Sequence, residues 1–238
     1  MERPWVVCHM LTSLDGKIDG AFFDAPEAVP ALRAYGRLRN FYNPEATVYG
    51  MTTMLGGYAD DTPPALIKTQ TLPSRQDFIS PRGRMVGNFI VSVDPKGTLG
   101  FSSNILERKG RPAAHVIQAL TAEADPAYLA YLHGQGVSYL FAGEQRLDCK
   151  LLLHKLFVQF GIRRLMLAGG GVTNWSFLQE GLIDELSLVI APVADGSTTA
   201  VSCFERADFL PQYGGPEAFR LKGAEPLEGD ALWLRYER

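Results

Sequence analysis

Short apolar runs typical of buried strands alternate with stretches of helical periodicity along most of the chain. The apolar runs predict strands at Trp5–Leu11, Ala46–Gly50, Asn88–Val93, Ala114–Leu120, Val137–Phe141, Arg164–Ala168 and Asp184–Ala191. Strands that alternate with helices are typical of strand–helix–strand units on a largely parallel sheet. The pattern therefore predicts the α/β class.

Helical periodicity and end signals predict four helices, at Val29–Phe41, Asp125–Leu132, Asp148–Phe160 and Thr173–Glu180. The second begins with Asp125 as its N-cap and Pro126 as its first helical residue. The third has Asp148 as its N-cap and Gly161 just past its end. These polar and glycine signals give two of the helices defined boundaries.

The last part of the chain follows a different pattern. Ala218–Lys222 and Ala231–Tyr236 are separated by a turn rich in Gly, Glu and Pro, with no helix between them, so they predict an antiparallel hairpin that closes a mixed sheet. Two long segments, Tyr58–Gly87 and Asp195–Pro216, carry many turn signals. The first is a candidate substrate-side loop, and a surface insertion is the alternative.

Composition narrows the classes of function. A chain of 238 residues with 46% hydrophobic and 21% charged residues predicts one large domain over residues 1–238. The net charge of −3 and the scattered basic residues argue against nucleic acid as a partner. The three cysteines form no Cys-x-x-Cys pair, which favours a reducing, cytoplasmic compartment. No apolar run reaches the length of a membrane span, and no histidine spacing indicates a metal site.

Leu165–Trp175 contains a buried-strand pattern, three consecutive glycines and then the start of a helix. Backbone amides without side-chain bulk at a helix N-terminus form an anion site suited to the phosphates of a dinucleotide. The spacing is not Gly-x-Gly-x-x-Gly, and the turn comes late in the chain, so it is not a Rossmann fingerprint. Tight packing between strand and helix is the alternative reason for the glycines.

Polar residues follow two other predicted strands. Ser13, Asp15 and Lys17 come directly after the first strand, and Gly50 with Thr53 follows the second. Ligands of open α/β sheets lie outside the carboxyl ends of the strands. An ordinary Asp-Gly turn and a capping threonine are the alternatives.

Taken together, these segments and Gly181–Pro192 occur in the order found in the pyrimidine reductases of riboflavin biosynthesis, and the chain resembles that family over nearly its whole length. The resemblance is to the reductase domain at the C-terminus of the bifunctional deaminase-reductases and to the stand-alone reductases. It implies a dihydrofolate-reductase-like three-layer fold with a mixed, mostly parallel sheet and helices on both faces. It also implies a homodimer that uses NADPH to reduce the ribosyl C1 of a phosphorylated ribosylaminopyrimidine by hydride transfer.

The resemblance also implies roles for individual positions. The positions that match cofactor contacts are Thr12, Gly50, Thr53, Gly169, Gly170, Gly171, Val172 and Thr173. Those that match substrate contacts are Ser13, Arg39, Asp60 and Ala168, with Arg39 on the phosphate. Asp15 and Asp60 are the hypotheses for catalytic polar groups, although Gly56-Gly57-Tyr58 looks like an insertion ahead of Asp60.

One departure from the family pattern concerns the substrate. Members commonly carry Glu immediately before the glycine turn, as a contact to the pyrimidine, and this chain has Ala168 there. Loss of a hydrogen-bond acceptor leaves the matching groups of that substrate unpaired. Two alternatives therefore remain: an NADPH-dependent reductase of the same fold with a different substrate, and a nucleotide-binding protein without turnover.

Overall fold

The computed structural model describes residues 1–66, 75–210 and 215–238. The chain groups into two compact units. Unit 1 consists of Met1–Pro4 and Glu45–Arg163, and unit 2 of Trp5–Pro44 and Arg164–Arg238. Unit 2 is thus assembled from two segments that are distant in sequence, and unit 1 mainly from the stretch between them. That residues 1–238 form one domain stays a prediction.

Strands and helices alternate through most of the chain. The strands are β1 (Trp5–Thr12), β2 (Ala46–Gly50), β3 (Phe89–Val93), β4 (Ile105–Leu106), β5 (Ala114–Leu120), β6 (Ser138–Phe141), β7 (Arg164–Leu167), β8 (Glu185–Ile190), β9 (Arg220–Pro226) and β10 (Leu232–Glu237). The α-helices are α1 (Val29–Tyr42), α2 (Met51–Leu55), α3 (Pro126–Gln135), α4 (Cys149–Phe160) and α5 (Gly171–Gln179). Short 3-10 helices lie at Ala21–Asp24, Pro26–Ala28, Gly83–Met85 and Glu228–Asp230.

In both units the strands are mostly parallel. In unit 2, β1 lies between β7 and β8 and is parallel to both, while β10 pairs antiparallel with β8 and β9 antiparallel with β10. In unit 1, β2, β3, β5 and β6 are parallel in that order, and β4 pairs antiparallel with β5. The predicted α/β class, the mixed sheet and the C-terminal hairpin are confirmed.

Side-chain caps fix the two helix starts that the sequence specifies. Asp125 accepts a hydrogen bond from the amide of Ala127 at 2.7 Å, and Asp148 accepts one from Leu151 at 2.7 Å. Gly161, at φ 70°, ends α4 in the left-handed conformation that suits glycine. The predicted caps are confirmed.

Two short elements and two boundaries of longer elements differ from the prediction. The sequence predicts neither α2 nor β4, because each is too short to show a period. Helix α5 begins at Gly171 and not at Thr173, because Gly170 is already its extended N-cap. The hairpin's first strand runs to Pro226, and most of its residues are exposed, so it lacks the alternation that marks a half-buried strand.

The core of unit 2 contains a buried histidine. His9 on β1 hydrogen-bonds the hydroxyl of Ser187 at 2.9 Å and the carbonyl of Tyr35 at 3.0 Å, and its ring stacks on the Tyr35 ring. Burial lowers the pKa of His9 to about 4, so the imidazole is neutral at pH 7. His9 therefore has a satisfied core role.

Candidate functional site

Three parallel strands end at one edge of unit 2. Leu167, the last residue of β7, lies opposite Cys8, and β1 continues from there to Thr12, which lies opposite Ile190 of β8. The glycine turn after β7 and the polar turn after β1 therefore leave the sheet at the same carboxyl edge. The structure brings together these predicted site residues of unit 2: Thr12, Ser13, Asp15, Ala168, Gly169, Gly170, Gly171, Val172 and Thr173.

Gly170 is the N-cap of α5. Its backbone is extended, at φ −65° and ψ 168°, and no side chain caps the helix. The first bond of the turn runs from the amide of Asn174 to the carbonyl of Gly170 at 3.0 Å. The earlier amides, those of Gly171, Val172 and Thr173, have no acceptor within the helix, and the helix dipole makes this end positive. The turn has the chemistry of an anion site.

Two neighbouring glycines of this turn have different surroundings. A Cβ placed on Gly170 would meet no heavy atom within 4 Å. A Cβ on Gly171 would lie 2.3 Å from the carbonyl oxygen of Ser202 and 3.0 Å from Cγ of Glu205. Gly171 is therefore needed for packing, whereas Gly170 faces open space where a ligand can approach the backbone.

The segment Ala200–Glu205, from the connection between β8 and β9, lies against the glycine turn. Glu205 donates its amide to the carbonyl of Gly171 at 3.1 Å, and the Asn174 side chain donates to the carbonyl of Cys203 at 2.9 Å. Oε1 of Glu205 accepts from the amide of Ser202 at 2.7 Å. This carboxylate at the turn is a candidate that sequence reasoning missed, because no local signal links the distant segment to the glycines.

Ala168 follows β7 directly and is 7% exposed. Its methyl group offers no hydrogen-bonding atom, so the carboxylate that the family pattern has at this position is missing. Glu205 brings a carboxylate to the same turn from a different segment, but its Oε1 is already bonded within that segment. The substrate contact predicted at Ala168 stays a prediction.

Ser13 and Asp15 form a closed turn after β1. Ser13 is 1% exposed, and its hydroxyl donates to Oδ1 of Asp15 at 2.6 Å and accepts from the amide of Lys17 at 2.9 Å. The backbone closes the same turn with a bond from the Ser13 amide to the Lys17 carbonyl at 2.9 Å. The Ser13 hydroxyl is thus engaged in holding Asp15.

Asp15 in turn holds the connection after β8. Its Oδ1 accepts from the amide of Asp195 and its Oδ2 from the amide of Gly196, each at 2.9 Å. The Ser13 hydroxyl and these two amides lower the pKa of Asp15 far below its ordinary value. Because the group stays ionised at neutral pH, these contacts favour a role in positioning over one in proton donation. The catalytic role predicted for Asp15 is not tested by this geometry.

An Asp15→Asn variant is expected to loosen the 195–196 turn, because an amide replaces the carboxylate oxygen of one backbone contact with a donor. Hydrogen exchange at the Asp195 and Gly196 amides should rise about tenfold or more, and exchange in the sheet should stay unchanged. Asp19→Asn is the control, because within the described part of the chain that exposed carboxylate bonds only its neighbour, the Gly20 amide. Equal exchange at the turn in wild type and Asp15→Asn would contradict the positioning role.

Lys17 links the two turns through its backbone and side chain. It forms an isolated bridge with Ser202, and its Nζ donates to the carbonyl of Ala200 at 3.2 Å. The Cys203 amide donates to the carbonyl of Gly16 at 3.2 Å. The segment Ala200–Glu205 is therefore tied at once to the turn after β1 and to the glycine turn.

Arg39 lies near the end of α1 and points toward the sheet. Its Nη1 lies 3.1 Å from the sulfur of Met166 on β7, and its charge contributes to the lowered pKa of His9. Nothing in these contacts indicates a phosphate, so the phosphate contact predicted for Arg39 stays a prediction.

The predicted site residues of unit 1 lie after β2. Gly50 is the extended N-cap of α2, at φ −77° and ψ 168°, and Thr53 is half-buried in that short helix. Asp60 pairs with Gly100 through a bond from its amide to the Gly100 carbonyl at 2.9 Å. The predicted roles of Gly50 and Thr53 toward the cofactor and of Asp60 toward the substrate stay predictions. Within the predicted loop Tyr58–Gly87, residues 67–74 lie outside the described residues, as do 211–214 of Asp195–Pro216.

Neither a metal cluster nor a membrane span is found in residues 1–66, 75–210 and 215–238. No group of three or more His, Cys, Asp or Glu side chains there is arranged to hold a metal ion. No helix among those residues is long and apolar enough to cross a membrane.

Comparison with known proteins identifies the family. The model of the RibD C-terminal domain matches residues 4–232. The chain belongs to this family. The predicted membership of the riboflavin-biosynthesis pyrimidine reductases is confirmed.

The chain is similar to two curated proteins that are named for the same activity. It is 29% identical over 199 residues to the 2,5-diamino-6-ribosylamino-4(3H)-pyrimidinone 5′-phosphate reductase of Methanothermobacter thermautotrophicus, a match that covers 83% of this chain and 82% of the relative. It is 26% identical over 239 residues to the protein of the same name from Archaeoglobus fulgidus, covering 99% of this chain and 100% of the relative.

Solved structures with the same fold include RibD of Acinetobacter baumannii, with a TM-score of 0.65 and 24% identity over 99% of this chain. The RibD-type chain spans 58% of that longer protein. A pyrimidine reductase-like protein of Corynebacterium diphtheriae has a TM-score of 0.66 and 17% identity, covering 98% of this chain and 91% of its own. These likenesses confirm the predicted dihydrofolate-reductase-like fold.

Proposed function

We propose that the chain is an NADPH-dependent reductase that acts on a phosphorylated ribosylaminopyrimidine, such as 2,5-diamino-6-ribosylamino-4(3H)-pyrimidinone 5′-phosphate, and transfers hydride to the ribosyl C1. The single observation that carries this proposal is the open glycine N-cap of α5, at Gly170, in a chain whose curated relatives are named as reductases of this substrate. The turn supplies the anion site that a dinucleotide cofactor requires.

The residues present fit a nicotinamide dinucleotide. Gly170 lets a phosphate approach the backbone because no Cβ occupies the open space beside it. The amides of Gly171, Val172 and Thr173 would donate to that phosphate, with Gly169 and Thr12 beside them at the edge. The bound cofactor would supply the hydride, and the protein would supply orientation.

On the substrate side, Ser13 and Asp15 would shape the wall of the site through the segment that they hold. Asp15 stays ionised, so it would act through the position of Asp195 and Gly196 rather than by giving a proton. Asp60 would be a polar partner of the substrate, as the family resemblance implies. Asp60 and water are the candidates for the source of the proton that accompanies hydride transfer.

The proposal is tested by following the absorbance of NADPH with 2,5-diamino-6-ribosylamino-4(3H)-pyrimidinone 5′-phosphate as substrate. The expected result is NADPH consumption that depends on the substrate and yields the ribityl product by mass spectrometry. A parallel assay with NADH in place of NADPH measures how strongly the enzyme prefers the cofactor that carries the 2′-phosphate. Absence of NADPH binding at millimolar concentration, measured by fluorescence, would contradict the cofactor assignment.

Ala168 favours a second candidate, a reductase of the same fold with a different substrate. A buried methyl group in place of a carboxylate removes an acceptor for the N–H groups of a pyrimidine. NADPH binding without turnover of the named pyrimidinone would support this candidate, and screening of other phosphorylated amino sugars or imines would then identify the substrate. Binding without turnover of any of them would favour a non-catalytic nucleotide-binding protein.

The outer hairpin of unit 2 supports a homodimer. Most residues of β9 are exposed, with Leu221 57% exposed, and Phe41 on α1 is 63% exposed while its ring edge contacts Trp233 of β10. Apolar side chains around an edge strand are a surface that a second copy would cover.

The free cysteines, among them the buried Cys8 and Cys149, suit the reducing cytoplasm in which we place the protein.

Sedimentation at about 20 μM is expected to give a dimer for the wild type and a monomer for Leu221→Lys, because a buried unpaired ammonium opposes association. Val158→Lys is the matched control, since Val158 is 59% exposed on α4 of unit 1. A monomeric wild type, or a dimer that both lysine variants retain, would contradict this interface.

A further inference from the structure

Two tyrosines stack in unit 1 because of the turn that follows α2. Gly57 has φ 137°, a value that side chains rarely allow, and the chain then places Tyr58 on Tyr49 of β2. The ring centroids are 4.7 Å apart with an interplanar angle of 27°, and the hydroxyls are 3.3 Å apart. The Gly56-Gly57-Tyr58 segment therefore builds this pair.

Two arginines from the turn between β4 and β5 converge on the tyrosine pair. Nη1 of Arg111 donates to the hydroxyl of Tyr49 at 2.8 Å and to that of Tyr58 at 2.9 Å. The guanidinium carbon of Arg108 lies 4.5 Å from the centroid of the Tyr58 ring. The Arg111 amide closes the turn on the Arg108 carbonyl at 3.0 Å.

The close approach of Arg108 requires the glycine at position 57. A Cβ on Gly57 would lie 2.7 Å from Nη2 of Arg108. The Gly56-Gly57-Tyr58 segment thus makes room for one guanidinium and supplies the aromatic face on which it rests. The same short segment fixes the position of both arginines relative to Tyr58.

Arg108 brings a positive charge to the exposed side of this cluster. Burial raises the pKa of Tyr58 to about 12, although the arginines oppose the shift, so its phenol is neutral at pH 7 and cannot balance the charge of Arg108. Arg108 is exposed, and it forms no salt bridge to a carboxylate in the described part of the chain. An anion beside Arg108 would balance this charge.

We propose that Arg108 and Arg111 bind a phosphate monoester, with Tyr58 as the platform that fixes both guanidiniums. Planar guanidiniums match the oxygens of a phosphate dianion in paired hydrogen bonds. The inference rests on the proposed function, in which the 5′-phosphate of the substrate and the 2′-phosphate of NADPH both have this chemistry. Both arginines belong to unit 1, so this proposal is separate from the phosphate contact predicted for Arg39 in unit 2.

The test compares Arg108→Gln with Lys109→Gln, a matched control that removes the same charge from the neighbouring exposed residue of the same turn. With phosphorylated substrate, kcat/KM of Arg108→Gln is expected to fall about tenfold or more, and with the dephosphorylated nucleoside it should not change. Lys109→Gln should change neither by more than about twofold. If the 2′-phosphate is the ligand, the KM for NADPH rises instead and that for NADH does not.

A binding measurement keeps this inference separate from the proposed function. Calorimetry with ribose 5-phosphate and with 2′-AMP measures the site whether or not the enzyme turns over a pyrimidine. Wild type and Lys109→Gln should bind at least one of these probes, while Arg108→Gln and the charge-retaining Arg111→Lys should bind it at least tenfold more weakly. Binding of neither probe by the wild type, or equal behaviour of Arg108→Gln and Lys109→Gln throughout, overturns the proposal. Thermal unfolding of every variant verifies that it is folded.

Discussion

A Gly171→Ala variant is expected to lose roughly 3 kcal/mol of its free energy of unfolding, because overpacking of a fixed backbone costs this much. The new methyl carbon would lie 2.3 Å from the carbonyl oxygen of Ser202, which belongs to the backbone and cannot move alone. The Cys203 carbonyl and the Glu205 amide next to it are both bonded to α5. Displacing this oxygen therefore disturbs the whole segment Ala200–Glu205.

Chemical denaturation measures this loss, and the unfolding temperature should fall by roughly 10 °C, since a chain of this size loses about 2–4 °C per kcal/mol. Gly134→Ala is the control: it also replaces a helical glycine, in α3, and its Cβ would meet no heavy atom within 4 Å. Gly134 lies in the last turn of α3, and the higher helix propensity of alanine should leave that variant at least as stable as the wild type. A Gly171→Ala protein as stable as the wild type would contradict the packing role of Gly171.

The sequence predicts the succession of strands and helices along the chain and two of the helix starts, because these features depend on residues that are close in sequence. Asp125 and Asp148 reach amides two and three residues away, so their capping role can be recognised from the sequence. The glycine turn is recognised in the same way, as a strand followed by residues without side chains and then a helix. Local chemistry predicts both features.

The reason for each glycine could not be predicted, because it depends on contacts distant in sequence. Ser202 lies against Gly171 from a connection whose turn signals predict only a loop. Asp15 reaches the amide of Asp195, 180 positions along the chain. The connection between β8 and β9 shows no hydrophobic periodicity, so the sequence alone does not indicate which distant residues it contacts. The alternatives of phosphate binding and packing could thus be stated from the sequence but not assigned to particular glycines.

At Gly170, unlike at Gly171, a substitution should change cofactor binding without a large loss of stability. Its extended backbone, at φ −65° and ψ 168°, is allowed for alanine, and a methyl group there would touch no protein atom within 4 Å. An N-cap glycine replaced by alanine weakens a helix slightly, and the lower entropy of the unfolded chain offsets part of that loss. Gly170→Ala should therefore unfold within about 1 kcal/mol of the wild type.

The Gly170→Ala variant should nevertheless bind NADPH about tenfold or more weakly than the wild type, which corresponds to about 1.4 kcal/mol. The methyl group would occupy the space through which a phosphate reaches the amides of α5, and a dinucleotide cannot approach them without displacing it. Fluorescence titration gives the Kd, and the unfolding curve of the same sample gives the stability. Unchanged NADPH affinity in a folded Gly170→Ala protein would mean that the cofactor does not lie against this turn. The first-turn amides of α5 would then need a different ligand, and packing would explain Gly171 but not Gly170.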